Sequence, residues 1–317
     1  MQFGIYPGSV STDVEEGMPK GKPEQPSRIQ ESLNQLQGDT SSFLVRSYIL
    51  YVGDGKTKRH TPTNPEQYAI NGRKLDLVLC FQTNEDDLSG WHDFIRKMVR
   101  QYNSNLAALQ ITEEANAQIP FMDGNFEHVR QALVEGVITA KDEIRKQGLD
   151  AKVGFNTTPI FSPADTFWKE IGERANDKFY DALDYVGFDF FPDVFSPIPP
   201  VFDGVTGAVE ALIKDNRENK LPRANIPSSV PIRITENGWP TSSDRSYEKQ
   251  AQTIEAIIRT IYKHHKELNI THYELFGLLD SDSSVDDLNY QFGIARDDYT
   301  PKPAFETYRK LISELSE

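Results

Sequence analysis

Apolar residues along the chain fall into two alternating kinds of segment. Between stretches with the 3.6-residue period of an α-helix lie short, near-continuous apolar runs, which are typical of strands buried on both faces of a sheet. The eight runs are FGIYPG from Phe3, SFLVRSYILY from Ser42, LDLVLCFQ from Leu75, LAALQITEE from Leu106, KVGFNTT from Lys152, YVGFDFF from Tyr185, PIRITEN from Pro231 and YELFGLL from Tyr273. This alternation predicts a parallel sheet covered by helices.

Helical stretches lie between the strand-like runs, so that strands and helices alternate along the chain. Clear apolar stripes predict helices over residues 91–102, 126–144, 251–265 and 305–315, and fainter stripes suggest others at 29–36, 65–71 and 207–216. We favour a closed (β/α)₈ TIM barrel over an open α/β sheet, because no glycine-rich phosphate loop follows the first strand. No linker rich in proline, glycine or serine divides the chain, so we expect one domain over residues 1–317.

Composition and charge exclude some classes of partner. The 317 residues are 38% hydrophobic and 26% charged, as in an ordinary soluble protein, and no apolar run approaches a membrane span. The net charge of −14 argues against nucleic acid or an anionic membrane as partner, but it does not oppose a neutral glycan. The one cysteine, Cys80, lies in an apolar strand and is expected to be a buried thiol rather than a nucleophile.

The N-terminal residues contain no basic and apolar pattern of a signal peptide. We therefore expect either a cytoplasmic protein or a secreted protein whose leader has been removed. The sequence indicates no particular oligomeric state.

Two strand ends carry carboxylates. Glu113 and Glu114 follow the fourth strand, and Glu236 ends the seventh, at the end of a barrel where active sites form. Adjacent strand residues point to opposite sides, so we expect only one of Glu113 and Glu114 to enter the barrel mouth. Carboxyls on strands four and seven face each other. Glycoside hydrolysis needs such a pair: one protonates the leaving oxygen, and the other attacks or stabilises the anomeric carbon.

The strings around these carboxylates resemble those of clan A retaining glycoside hydrolases, which include β-1,3-glucanases, endo-β-galactanases and β-glucosidases. ITEEAN is similar to their strand-four segment, TENGWPT to the strand-seven segment, YVGFDFFPD to strand six, and FGIARDDYTPKPAFETYRKL to their C-terminal ending. The resemblance implies a (β/α)₈ barrel that hydrolyses β-linked glycans through a glycosyl-enzyme intermediate. It implies Glu114 as acid/base, Glu236 as nucleophile, and Arg46 as the residue that orients the nucleophile.

Three positions depart from the pattern of these enzymes. Glu113 stands where an asparagine usually contacts the sugar 2-hydroxyl. Phe191 stands where a tyrosine often hydrogen-bonds the nucleophile, with Asp189 as the polar partner if the alignment slips. The end of strand eight, FGLLD, lacks the tryptophan that commonly floors the sugar site. These departures keep open an alternative, a carbohydrate-binding barrel with little or no turnover.

Other polar and aromatic residues near strand ends are candidates for substrate contact. The amides of Asn116 and Asn156 can bind sugar hydroxyls, and aromatic rings can stack on a pyranose; turn and packing roles are the alternatives. The predicted substrate-binding set is Arg46, Glu113, Asn116, Asn156, Trp239, Tyr6 and Asp280. We expect an oligo- or polysaccharide substrate, with no metal and no organic cofactor, since no zinc, phosphate-loop or EF-hand pattern occurs.

Overall fold

The computed structural model describes residues 1–9, 21–119, 122–162 and 164–316. Within them lie nine strands: β1 (Gln2–Ile5), β2 (Phe43–Tyr51), β3 (Thr57–Thr61), β4 (Lys74–Phe81), β5 (Leu106–Ile111), β6 (Lys152–Thr157), β7 (Tyr185–Asp189), β8 (Ile232–Asn237) and β9 (Ile270–Leu275). All except β3 are parallel, and they close into an eight-stranded barrel because β1 pairs with both β2 and β9. The predicted (β/α)₈ barrel is confirmed.

One of the nine strands, β3, was not predicted. It runs antiparallel to β2, and the two form a hairpin that extends from the barrel. The connecting turn holds Gly53, Asp54 and Gly55, which all have positive φ angles of 94°, 50° and 68°. An Asp-Gly pair after a strand is a hairpin signal, because glycine adopts such angles without a steric cost.

The helices surround the barrel. They are α1 (Pro26–Gln37), α2 (Ser89–Tyr102), α3 (Val129–Lys146), α4 (Phe167–Arg174), α5 (Asp177–Ala182), α6 (Gly204–Asp215), α7 (Leu221–Arg223), α8 (Tyr247–His264) and α9 (Pro303–Leu315), with a π-turn joining α6 to α7. The prediction of a helix at 65–71 was wrong, since this segment forms only a 3₁₀ turn, Pro65–Tyr68. Asn64 and Asn71 flank that turn in left-handed conformations, which interrupt a helix. The short helices α4 and α5 were not predicted.

The two faces of the barrel strands differ in polarity. The outer face packs apolar residues such as Phe3, Val45 and Leu77 against the helices. The interior holds buried charged residues, among them Arg46 and Glu274. Because a buried charge is costly without partners, such residues indicate that the interior supports a polar site above it.

Cys80 is buried, and burial raises the pKa of its thiol well above the ordinary value, as expected for an inert thiol. In the part of the chain that the structure describes, no helix is both long and apolar enough to span a membrane.

Candidate active site at the barrel mouth

Glu236, at the end of β8, receives two donors from β2. Arg46 Nε lies 3.6 Å from Glu236 Oε1, and the Tyr48 hydroxyl donates a hydrogen bond to the same oxygen. Arg46 Nε also donates to Tyr48 Oη at 2.6 Å. Tyr48 is two residues from Arg46 and therefore on the same face of the strand, a spacing from which its role could have been predicted. Both groups favour the ionised form of Glu236.

Glu113 and Glu114 both enter the mouth, so the expectation that only one would do so was wrong. The strand β5 ends at Ile111, and the alternation of side chains ends with it. Thr112 and Glu114 have φ angles of +66° and +44°, which are uncommon for residues other than glycine and turn the backbone back on itself. Both carboxylates therefore converge on the same side.

Two buried side chains fix the backbone that carries these carboxylates. Asp123 Oδ2 accepts from the Glu113 N–H at 2.8 Å and from the Phe81 N–H at 2.6 Å. Asn156 Oδ1 accepts from the Glu114 N–H at 2.7 Å. The left-handed segment is thus held from β4 on one side and from β6 on the other.

Asn156 is the hub of a buried network. Its Nδ2 donates to Glu113 Oε1 at 3.0 Å and also to Asp189 Oδ2. Thr235 donates its hydroxyl proton to the other oxygen of Asp189. Both N–H donors and one oxygen lone pair of the Asn156 amide, three of its four hydrogen-bonding positions, are engaged within the protein, which favours a positioning role over the predicted sugar contact.

Glu113, the substitution for asparagine, points towards Arg46. Its Oε2 lies 3.4 Å from Arg46 Nη2 and accepts from Gln110 Nε2 at 2.7 Å. Gln110 in turn accepts from Arg46 Nη2 at 2.9 Å. Arg46 therefore forms ion pairs with both Glu113 and Glu236.

Burial raises the pKa of every carboxyl in this cluster. The pKa of Glu236 rises to about 8 through burial and the charge of Glu113, against the opposing effect of Arg46 and Tyr48. Burial and the charge of Asp189 raise the pKa of Glu113 to about 8. Burial and the charge of Glu236 raise that of Asp189 to about 7. The cluster therefore retains protons at neutral pH.

Burial raises the pKa of Glu114 well above its usual value, as do, in decreasing order, the charges of Asp189, Glu113 and Glu236. Carboxylates therefore surround Glu114, whereas Glu236, which also lies near Glu113, has a guanidinium and a phenol beside it that favour its ionised form. Environments that separate two carboxyls in this way assign one the role of acid and the other the role of anion.

The same closeness permits cation binding in principle. Carboxylate oxygens of Glu113, Glu114 and Asp189 lie within 4.8 Å of one another. However, Glu113 and Asp189 already accept hydrogen bonds from Asn156, and three carboxyls at this spacing can be stabilised by retaining protons instead.

An aromatic wall flanks Glu236. Tyr6 packs edge-on against Tyr48 at 5.4 Å between ring centroids and stacks on Phe276 at 5.2 Å. Phe276 directly follows β9, at the strand end where the resemblance implies a tryptophan and the sequence has none. Its place in the aromatic wall was not predicted, because only a tryptophan was expected there. Phe191 packs on Phe276 at 6.2 Å. The Tyr48 hydroxyl donates to Glu236, the contact that the resemblance led us to expect from a tyrosine at position 191.

Three other predicted residues have partners that favour structural roles. Asn116 exchanges two hydrogen bonds with the backbone of Thr158, at 2.6 and 3.0 Å. Trp239 is buried with Arg245 over its ring at 4.5 Å. Asp280 forms a buried ion pair with Lys302 at 2.8 Å. Their substrate contacts remain predictions, and these contacts favour the packing and turn alternatives.

The fold is similar to that of several solved glycoside hydrolases. A family 39 glycoside hydrolase from the gut symbiont Bacteroides cellulosilyticus WH2 has a TM-score of 0.62 and 14% identity, over 100% of this chain and 64% of that one. A β-glucosidase from Thermotoga maritima, in complex with azafagomine, has a TM-score of 0.63 and 12% identity, over 100% of this chain and 98% of that one. A GH2 β-galacturonidase from Eisenbergiella tayi has a TM-score of 0.59 and 13% identity, over 93% of this chain and 49% of that one.

The chain spans less than two thirds of the first and third of these proteins. No protein-family model matches the chain, and no curated protein matches it in sequence. At 12–14% identity the likeness establishes the barrel fold that the chain shares with these glycoside hydrolases. Function has to be argued from the site.

Proposed function

We propose that the chain is a retaining glycoside hydrolase that cleaves β-linked glycans, with Glu236 as nucleophile and Glu114 as acid/base. The observation that carries the proposal is the opposite surroundings of the two carboxyls. Glu236 accepts from Tyr48 and lies beside Arg46, whereas Glu114 lies among carboxylates. This is the division of labour that glycoside hydrolysis requires.

The mechanism follows from that asymmetry. Ionised Glu236 attacks the anomeric carbon and forms a glycosyl ester, while the bond from that carbon to the leaving oxygen breaks. Glu114 donates its proton to the leaving oxygen. Glu114, now ionised, then takes a proton from water, whose oxygen attacks the anomeric carbon and releases Glu236. Arg46 and Tyr48 stabilise the carboxylate of Glu236 before attack and after release.

The test is turnover of a panel of β-glycans and aryl β-glycosides, comparing the wild type with Glu236→Gln and Glu114→Gln. We expect Glu236→Gln to lower kcat/KM by at least about a thousandfold on every substrate, because it removes the nucleophile. Glu114→Gln should cost about 10²–10⁴-fold on glycans, and less on aryl glycosides, whose leaving group needs little protonation. Glu218→Gln, an exposed carboxylate outside the site, is the matched control.

The stereochemistry of the first product, followed by proton NMR, tests the retaining mechanism, which predicts a β-configured sugar. Glycan binding without turnover would instead support a carbohydrate-binding barrel. The absence of both binding and turnover on every substrate would contradict both functions.

A further inference from the structure

Exposed apolar side chains are concentrated on one side of the barrel mouth. Among the described residues, six large apolar side chains are exposed, and five of them lie on the loops that follow β5, β6 and β7. The six are Ile70, Ile119, Phe161, Phe195, Val201 and Phe202. The sixth, Ile70, precedes β4 and therefore lies at the opposite end of the barrel. Clustered exposed apolar groups beside a cleft mark binding surfaces.

Phe195 differs from the other exposed residues because it continues the aromatic wall. Its ring is 71% exposed and packs edge-on against Phe191, with the centroids 5.6 Å apart. A second ring, Phe292, supports it at 6.4 Å. Phe191 contacts Phe276, so ring contacts run without a break from Phe195 to Tyr48, which donates to Glu236.

We propose that Phe195 is the platform of an outer substrate subsite, which binds a flat apolar face attached to the sugar cleaved at Glu236. The inference rests on the proposed function and extends it to the substrate beyond the cleaved sugar. Two ligand sources share this chemistry: the next pyranose of an oligosaccharide, through its C–H face, and an aryl aglycone. Phe191 and Phe292 pack against the platform, which remains 71% exposed.

The position of the aromatic wall at the barrel mouth favours a substrate, rather than a protein partner, as the ligand that binds on Phe195. Every ring between Phe195 and Glu236 belongs to a residue at a C-terminal strand end or in a loop that follows one, except Tyr48, which is within β2. A ligand seated on Phe195 would therefore be continuous with one whose anomeric carbon lies at Glu236. The wall also limits the flexibility of the platform, so little ordering is needed when the ligand binds.

The experiment compares Phe195→Ala with the wild type on β-1,3- and β-1,4-linked gluco- and galacto-oligosaccharides of two to five sugars, and on 4-nitrophenyl β-glucoside and β-galactoside. A sugar platform predicts a loss in kcat/KM of about tenfold on the oligosaccharides but not on the aryl glycosides. A loss of that size on the aryl glycosides identifies an aryl aglycone as the ligand. Ile70→Ala, an exposed apolar residue at the far end of the barrel, is the matched control.

Calorimetric titration of the same oligosaccharides and aryl glycosides into Glu236→Gln, with and without Phe195→Ala, separates binding from turnover. If the wild type shows no turnover that depends on Glu236, the proposed function fails. A loss of ligand affinity caused by Phe195→Ala would still support the platform. If Phe195→Ala matches Ile70→Ala on every ligand, in turnover and in affinity, the platform is overturned. Phe195→Leu, which keeps an apolar side chain but no ring, should lose most of the same effect.

Discussion

Glu113 and Glu236 share the guanidinium of Arg46, at N–O distances of 3.4 and 3.6 Å. One cation cannot neutralise two carboxylates in a buried site, so each disfavours ionisation of the other. Among the charges that act on Glu236, Glu113 has the largest effect in raising its pKa. The charge of Glu113 therefore affects the pH at which Glu236, the proposed nucleophile, ionises.

The variant Glu113→Gln should shift the acidic limb of the pH–rate profile to lower pH. The wild-type limb reports ionisation of Glu236, whose pKa is raised from 4.5 to about 8, so activity should still be rising above pH 7. Removing the neighbouring negative charge lowers that pKa. The measurement is kcat/KM between pH 4 and 9, with Glu218→Gln as control. An acidic limb at the same pH in Glu113→Gln would show that Glu113 does not act on the nucleophile.

At the residue scale, Arg46, Glu114 and Glu236 could be singled out in the sequence because each lies within or shortly after an apolar strand. It failed at Glu113 because side-chain alternation applies only within a strand, and β5 ends two residues earlier. The hydrogen bonds of Asn156 were equally beyond prediction. They depend on how three strands meet in space, which residue spacing along one strand does not reveal.

At the scale of elements, Asp280 connects the segment after β9 to the start of α9. Lys302, which precedes α9, has a fully buried ammonium that donates to Asp280 at 2.8 Å and to Thr241 at 3.0 Å. Ser283 donates to the second oxygen of Asp280 at 2.8 Å. These contacts explain why an acidic residue close to a strand end is buried.

Replacing Lys302 by Met should destabilise the protein by about 3–5 kcal/mol, because it leaves the Asp280 carboxylate buried without its cation. Adding Asp280→Asn to that variant should restore part of the loss. Urea unfolding measures the free energies, and glycan affinity is measured in parallel. Should Asp280→Asn alone reduce glycan affinity while stability is unchanged, the predicted substrate contact would be correct and the anchoring role wrong.

The elements themselves were largely predictable. All eight barrel strands were located because strands buried on both faces form continuous apolar runs. The hairpin strand β3, Thr57–Thr61, contains no such run; Thr57 and Lys58 are exposed, and His60 and Thr61 are half-buried. The short helices α4 and α5 have too few turns for a periodic stripe to be recognised.

At the scale of the whole molecule, the barrel interior carries an excess of acidic groups. Below Arg46, Asp76 lies 3.8 Å from its Nη1, and Glu274 contacts Asp76 from the other side of the interior. Two adjacent buried carboxyls repel each other when both are ionised and can share a hydrogen bond only when one of them holds a proton. Burial and the charge of Asp76 raise the pKa of Glu274 well above 4.5, which favours Glu274 as the proton holder.

These raised pKa values predict how stability depends on pH. A carboxyl with a raised pKa in the folded state binds a proton that the unfolded chain has already released. Its contribution to stability is therefore complete below about pH 4.5 and is lost as the pH rises through the folded-state value, about 7 for Asp189 and about 8 for Glu113 and Glu236. We expect the unfolding midpoint to fall steadily between pH 5 and 9.

The variant Glu274→Gln should make that decline shallower. Glutamine can donate a hydrogen bond to Asp76 at every pH. It also has the shape of protonated glutamic acid, so it fits the tight space beside Gly4, where an added Cβ would lie 2.8 Å from Glu274 Cγ. Urea unfolding at five pH values between 5 and 9 gives the slope for the wild type, Glu274→Gln and the surface control Glu218→Gln. Because the slope counts protons lost on unfolding, an equal slope in wild type and Glu274→Gln would mean that Glu274 is already ionised in the folded barrel. Arg46 and Arg233, which both act on Glu274, would then have to offset the charges of Asp76 and Glu274, while Arg46 also lies beside Glu113 and Glu236.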